Sequence, residues 1–343
     1  MNSRIQSVPP PPPPAPRIWT SLDLIKWTSD FFAKKGIESP RLEAELLLSE
    51  VLGVQRIRLY VDFEKPVPQE KLAVYREYVK RRAEKREPLQ HIIGHAQFVD
   101  LTLKVSPAVL IPRPETELLA VWAVEKLLPK KAEPAEISAP PEAEKKTDGT
   151  PAETKNPEPP APVALPPVRV LDLCTGSGCL ALFIASKVPH AEVIATDISA
   201  DALSVATENI AKLKLESRVT LKEGDLFAAL ATDPKSLFDL IVANPPYIDP
   251  AVRASLQPEV RDHEPAQALF ADSGGLSVLQ RIISGAAEWL KPGGWLGMEF
   301  GAGQAEALRK LAQESGGLEE ISIKEDHRRL PRFLLARRKS CAL

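Results

Sequence analysis

The run Val168-Arg169-Val170-Leu171-Asp172-Leu173 is mostly apolar and stops at a glycine-rich turn, Cys174-Thr175-Gly176-Ser177-Gly178. The turn passes directly into a helical stretch, Cys179 to Lys187. A short apolar run bounded by glycines reads as a buried strand. A buried strand feeding a helix through a tight turn is half of a βαβ unit, and few architectures accept one. The pattern repeats along the chain. Ala191 to Thr196 is a second strand ending at Asp197, and a helix follows from Ser199 to Leu213. Val219 to Lys222, Phe238 to Ala243 and Gly294 to Phe300 read as the next three strands. Ile321 to Lys324 and Arg332 to Ala336 read as a final antiparallel pair. Strands alternating with helices predict a doubly wound, Rossmann-like α/β sheet.

Ligands in such sheets bind beyond the carboxyl ends of the strands. Asn244-Pro245-Pro246-Tyr247 stands there, directly after the fourth strand. An Asn amide carries one acceptor and two donors. The prolines lack an N–H and have a fixed φ, so the backbone is stiff and presents carbonyl oxygens. The Asn244 oxygen and a proline carbonyl can together accept two hydrogen bonds from one NH2 group. Tyr247 offers a flat ring for stacking. The target so described is a planar amide or an aromatic amine. A plain Pro-Pro turn after a strand would use the same residues, and the rest of the chain has to decide.

Gly176-Ser177-Gly178, with Ala181 beyond it, fits the dinucleotide fingerprint, in which glycines let backbone approach a ligand at a helix N-terminus. Asp197 ends the second strand about 20 residues later, where a carboxylate takes ribose hydroxyls. NAD and S-adenosylmethionine both carry such a ribose. Gly224-Asp225 after the third strand and Asn244 to Tyr247 after the fourth favour S-adenosylmethionine. Hydride transfer needs neither. An amino-group methyltransferase needs the second, to aim the nitrogen at a sulfonium methyl.

Upstream, Ile18 to about Arg86 is helical in period. Leu24, Ile25, Thr28, Phe31 and Phe32 share one face, and Gly36 is placed to end that helix. Ser39-Pro40 reads as the N-cap and first position of the next helix, which Gly53 stops. A third, charged helix runs from Pro68 to Glu84. Phe98 to Val105 is strand-like with Gly94 as punctuation, so a β-hairpin is expected. His91 and His95 stand four apart but lack the Glu of a zincin, and no metal site is expected. Pro112-Arg113-Pro114-Glu115-Thr116-Glu117 is an extended strap entering a helix that runs to about Leu128.

The chain has 34 prolines, and roughly half fall in two low-complexity stretches. These predict the organisation: a disordered tail over 1–17, a helical substrate-recognition bundle over 18–87, a hairpin and strap over 88–128, a disordered insertion over 129–167, and a catalytic domain over 168–343. With 44 Lys and Arg against 46 Asp and Glu, bulk charge does not favour a nucleic-acid partner. Three cysteines make neither a disulfide framework nor a zinc site. A cytoplasmic protein without a membrane segment is expected.

With these residues in place, the chain resembles the HemK/PrmC family of peptide-chain release factor N5-glutamine methyltransferases. The resemblance covers everything but the two proline-rich stretches. It rests on Gly94 to Phe98, Ile111 to Glu117, Asp172 to Gly178, Asn244 to Tyr247, His263-Glu264-Pro265 and Glu299-Phe300-Gly301. The resemblance implies a class I S-adenosylmethionine-dependent methyltransferase fold. It also implies a class-I release factor as protein substrate, methylated on the glutamine of its Gly-Gly-Gln motif, and a monomeric enzyme. It implies that Cys174, Thr175, Gly176, Ser177 and Gly178 line the methionine part of the cofactor. Asp197 would bind the ribose, and Asp225 and Leu226 would flank the adenine. Asn244 would stand beside the cofactor. Asn244 and the Pro245 carbonyl would hold the substrate amide, with Pro246 beside them and Tyr247 packed on it. The sequence departs from the family at Cys174, where glycine is usual, and in its long insertion.

Rival readings remain at this stage. They are a glutamine methyltransferase acting on a ribosomal protein, an adenine-N6 nucleic-acid methyltransferase, an NAD dehydrogenase, and an idle adaptor whose proline segments bind partners.

Overall fold

The computed structural model describes residues 18–128, 166–231 and 237–340. The expectations for 1–17 and for 129–165 of the insertion lie outside the described residues. Strands β1 (His95–Phe98) and β2 (Leu101–Lys104) pair antiparallel as a hairpin. Strands β3 (Val168–Leu173), β4 (Ala191–Asp197), β5 (Val219–Glu223), β6 (Phe238–Ala243), β7 (Leu290–Glu299), β8 (Leu318–Glu325) and β9 (Pro331–Arg338) form one sheet. Its order is β5-β4-β3-β6-β7-β9-β8. The first five neighbours run parallel, and β9 and β8 close the far edge antiparallel.

The chain steps outward from β3 to β5 and returns to β6 on the other side of β3. The switch point therefore lies between β3 and β6, where the connections part and leave a crevice. Register decides what meets there. Leu173 pairs with Ala243, so Cys174 and Asn244 leave the sheet side by side. Leu173 also pairs with Thr196, which brings Asp197 to the same rim. Ala243 pairs with Met298, so Glu299 stands beside Asn244.

Both faces of the sheet are covered, as the continuous apolar strands require. Val170, Leu240 and Val242 face one core with the helices Pro114–Leu127 and Cys179–Lys187 and with Phe98 and Leu103 of the hairpin. Leu171, Leu173, Ile241 and Ala243 face the other, against the helices Ser277–Trp289 and Ala305–Glu314. The alternation of period two along β3 and β6 sends neighbours to opposite cores.

Residues 18–94, together with Gln257–His263, form a separate compact unit. In it the helices Ser21–Lys34, Pro40–Leu52 and Gln69–Glu84 bury Leu24, Ile25, Phe32, Leu47, Leu48, Leu72 and Tyr75. Gly53, at φ 70, caps the second of these in the left-handed region. Arg82 is buried between Glu43 and Glu259, so Gln257–His263 is held to the helices by charge-assisted hydrogen bonds.

Three local expectations are corrected. Phe98 to Val105 is not one strand: the hairpin turns at Val99-Asp100, and Val99 sits at φ 54. A β-branched residue there is costly, and its N–H donates to the Glu117 carboxylate at 2.9 Å, a contact outside the hairpin. Gly94, at φ 79, instead ends a short helix, Leu89–Ile93, so His91 lies on a helix and His95 opens a strand. The fifth strand of the sheet starts at Leu290 and continues through Pro292-Gly293-Gly294, with a register shift opposite Phe238 and Leu240. A bulge lets the ladder continue past Pro292 and Gly293, ahead of the expected start at Gly294. No helix among the described residues is long and apolar enough to cross a membrane.

Candidate active site

The carboxyl ends of β3, β4 and β6 open on a cavity of about 300 Å³. Cys174, Thr175, Gly176 and Ser177 line it from the β3 turn, Asp197 from β4, Asp225 and Leu226 from beyond β5, and Asn244 and Pro246 from beyond β6. Asp172, Thr116 and Arg281 also line it. Of the residues selected from sequence, Gly178, Pro245 and Tyr247 do not line it.

The β3 turn is fixed by hydrogen bonds to β4. The Thr175 N–H donates to the Thr196 carbonyl at 2.9 Å, and the Gly176 N–H to Asp197 Oδ2 at 2.9 Å. Gly176 sits at φ +55, and a Cβ there would meet nothing within 4 Å. The space beside its backbone is therefore left open to a ligand. Cys174 takes φ 59 in the same turn without being glycine. Left-handed backbone costs an L-residue about 1–2 kcal/mol, while glycine adds a comparable entropy to the unfolded chain. Cys174→Gly should thus leave stability within about 1 kcal/mol of the parent, as read by denaturant unfolding; a larger gain would show that the strain at Cys174 is not offset. Burial raises the pKa of the Cys174 and Cys179 thiols far above the ordinary thiol range, and neither is a nucleophile at neutral pH.

Asp172 is fully buried within β3. Its Oδ2 accepts from the Thr175 hydroxyl at 2.6 Å and from the Ala181 N–H at 3.1 Å, while Oδ1 has no hydrogen-bond partner. Burial pushes its pKa up to about 7, against the pull of those two donors and with a further push from Asp197. Asp197 is also raised by burial, and its two oxygens accept from the Gly176 and Ser199 N–H groups at 2.9 and 3.0 Å. Asp225 pairs with Arg281 at 2.7 Å at the open side. A wall carrying desolvated carboxylates suits a cationic ligand with hydroxyls.

Asn244 is oriented from the strap. Its Nδ2 donates to Thr116 Oγ1 at 3.0 Å, and its Oδ1 is buried without a partner. Thr116 Oγ1 donates to Glu299 Oε2 at 2.7 Å. The Tyr247 hydroxyl donates to Glu299 Oε1 at 3.0 Å, so its ring is held toward β7. Burial and the Glu299 carboxylate keep that phenol protonated. The backbone after Pro246 is pinned as well: Gln304 Nε2 donates to the Tyr247 carbonyl at 2.9 Å. The strap is anchored by Arg113, whose guanidinium pairs with the buried carboxylate of Glu264.

Residues 23–94 match the family described as the PrmC N-terminal domain, and residues 163–259 the methyltransferase small domain. The release factor glutamine methyltransferase of Geobacter sulfurreducens is 42% identical over 301 residues, 88% of this chain and 91% of its own. Those of Rhodopirellula baltica and Chlorobaculum tepidum are 36% and 38% identical, over 90% and 93% of this chain and 93% and 97% of theirs. The chain belongs to the release factor glutamine methyltransferase family.

Sequence reasoning placed three residues inside the motifs of the resemblance but gave them no role at the site to which the structure brings them. Asp172, Thr116 and Glu299 are all buried. Two of them carried a signal: a carboxylate inside an apolar strand run is costly and seldom incidental. Thr116 carried a signal only through its segment, Pro112 to Glu117, which reads as a rigid strap packed beside the active site; its own hydroxyl, in the first turn of a helix, reads as ordinary.

Proposed function

We propose that this chain transfers the methyl group of S-adenosylmethionine to the side-chain amide nitrogen of the glutamine in the Gly-Gly-Gln motif of class-I peptide-chain release factors. The observation that carries the reading is Asn244, which lines the cavity, with its amide nitrogen held by Thr116 and its oxygen left without a hydrogen-bond partner. The names of the relatives support the substrate.

S-adenosylmethionine supplies an electrophilic methyl group on a sulfonium sulfur. The residues present fit it. Asp172 Oδ1, a buried acceptor without a partner, would take the ammonium. Asp197 would take ribose hydroxyls with its remaining lone pairs. Cys174 to Gly178 would pass along the methionine chain, and Asp225 and Leu226 would flank the adenine.

The amide nitrogen of glutamine is a poor nucleophile because its lone pair is delocalised into the carbonyl. Asn244 Oδ1, together with the Pro245 carbonyl where the bound substrate reaches past the cavity wall to it, each accepting one N–H, would raise electron density on nitrogen and fix its orientation. Orientation and stabilisation of the charge developing on nitrogen then supply the catalysis. Transfer of the methyl group to nitrogen would release the demethylated cofactor, and the nitrogen would then give one N–H proton to solvent, held meanwhile by its two acceptors. Tyr247, held protonated, positions the motif rather than acting as a base. The helical unit would bind the release factor, and the enzyme would act as a cytoplasmic monomer.

The deciding experiment is transfer of labelled methyl from S-adenosylmethionine to purified class-I release factors, with peptide mapping of the product. Ribosomal proteins and adenine-containing nucleic acids serve as competitors. Label on one of those and none on the release factor glutamine would overturn the reading.

Cofactor affinity should also depend on pH through Asp172. Binding an ammonium beside Oδ1 favours the carboxylate, whose pKa without ligand is about 7. Below that pH protonation competes with binding, so the dissociation constant rises by up to about tenfold per pH unit as pH falls. Above it the constant levels off. Calorimetric titration from about pH 5.5 to 8 reads the slope, and Asp172→Asn should remove it. A flat profile in the parent enzyme would take the ammonium away from Asp172.

A further inference from the structure

Glu299 is 1% exposed, yet nothing in the proposed transfer uses it. Buried carboxylates are costly unless their oxygens are occupied. Both are: Oε2 by the Thr116 hydroxyl at 2.7 Å and Oε1 by the Tyr247 hydroxyl at 3.0 Å. Burial raises the pKa of Glu299, and the two hydroxyl donors together with the Arg332 charge pull it back toward the carboxylate; as a carboxylate it only accepts. It therefore takes the single hydroxyl proton of Thr116. The Thr116 oxygen then has only lone pairs to offer Asn244, which must answer with its NH2. Once Nδ2 is committed to Thr116, Oδ1 is the end of the amide left to accept from a substrate, and in this cavity-lining residue it is the atom found without a partner. The two faces of an amide differ only in donor and acceptor, so nothing in the shape of Asn244 makes this choice.

We propose that Glu299, acting through Thr116, is the positioning residue that sets which end of the Asn244 amide faces the substrate. The inference deepens the transfer reading above and rests on it for its catalytic consequence. The sheet makes the arrangement possible. Ala243 pairs with Met298, so Asn244 and Glu299 follow side by side, and Thr116 reaches both from the first turn of the helix Pro114–Leu127. Tyr247 occupies the second oxygen, which ties the two ends of the Asn-Pro-Pro-Tyr motif to one carboxylate.

The test uses three variants of the full chain. Thr116→Val keeps the shape and removes the relay. Thr116→Ser keeps the hydroxyl. Glu299→Met removes the acceptor without leaving a buried charge, and frees the Thr116 proton to turn toward Asn244. Thr116→Val and Glu299→Met should each lower kcat about tenfold or more, while the dissociation constant for S-adenosylmethionine stays within about twofold. Thr116→Ser should recover most of kcat. Equal losses in Thr116→Ser and Thr116→Val would mean that the methyl group, and hence packing, matters rather than the relay, and the proposal falls. Parent-like kcat in Thr116→Val overturns it as well. Should Glu299→Met fail to fold, the Thr116 pair decides alone.

A second readout needs no substrate. The side-chain NH2 resonances of Asn244 can be identified in ¹⁵N-labelled protein by their absence from Asn244→Asp. In Thr116→Val and Glu299→Met they should shift, and their exchange with solvent should quicken about tenfold or more, as expected for a lost hydrogen bond. Resonances indifferent to both substitutions sink the relay whatever the activity. An inactive parent enzyme with these spectral changes keeps the relay and sinks the transfer reading, so the two failures are distinguishable.

Discussion

Asn244→Ala lowers kcat for methyl transfer about 100- to 1000-fold and leaves cofactor affinity nearly unchanged; this is the expected loss for one preorganised polar group at a reacting centre. The substitution removes the only part of the proposed amide clamp that is a side chain. It also strips Thr116 of the donor 3.0 Å away, which costs some stability. Thermal unfolding should therefore accompany the kinetics, so that a folded variant is compared with a folded parent. Calorimetric titration with S-adenosylmethionine separates a lost clamp from a lost cofactor. Near-parental turnover in a folded Asn244→Ala would remove Asn244 from the chemistry. A fall in cofactor affinity that accounts for the whole effect would move it from the substrate to the cofactor.

Asp197→Ala is expected to weaken S-adenosylmethionine binding by about 10- to 150-fold, the worth of a charge-assisted hydrogen bond of roughly 1.5–3 kcal/mol. The structure adds a second route to that loss. Asp197 also accepts the Gly176 N–H at 2.9 Å and the Ser199 N–H at 3.0 Å, so the alanine frees the glycine turn from its neighbour. Asp197→Asn separates the routes. Its amide oxygen can keep one backbone donor, and its nitrogen can still donate to a ribose oxygen. A small loss in Asn beside a large loss in Ala places the weight on turn geometry. Equal losses place it on the carboxylate. An unchanged dissociation constant in the alanine variant would take Asp197 out of the cofactor site.

Much of the architecture was legible because it is written in short-range patterns. The apolar runs at Val168 to Leu173 and Phe238 to Ala243 match β3 and β6 as observed. The glycine after Leu52 caps its helix. Local signals failed where a distant contact overrode them. Val99 looked like strand interior and became a turn residue, its N–H satisfied by Glu117 of a later helix. The strand read from Gly294 to Phe300 instead begins at Leu290, carried through Pro292 and Gly293 by pairing with β6 and a register shift.

The candidate site divides in the same way. Sequence by itself determined which residues end strands: Cys174 after β3, Asp197 at the end of β4 and Asn244 after β6 all follow from apolar runs and their breaks. That is enough to place them on one rim, because a parallel sheet aligns its carboxyl ends. Only the tertiary structure decided how the rim is wired. Thr116 meets Asn244 across 128 residues and Glu299 across 183, contacts set by strand register and the docking of one helix. It also decided that Asp172 keeps an oxygen without a partner, since burial depends on what packs over the strand. A backbone pattern repeats every two or 3.6 residues and can be read along the chain. A chain of two hydrogen bonds through Asn244, Thr116 and Glu299 has no period, and it exists only once the sheet is paired and the helix lies against it.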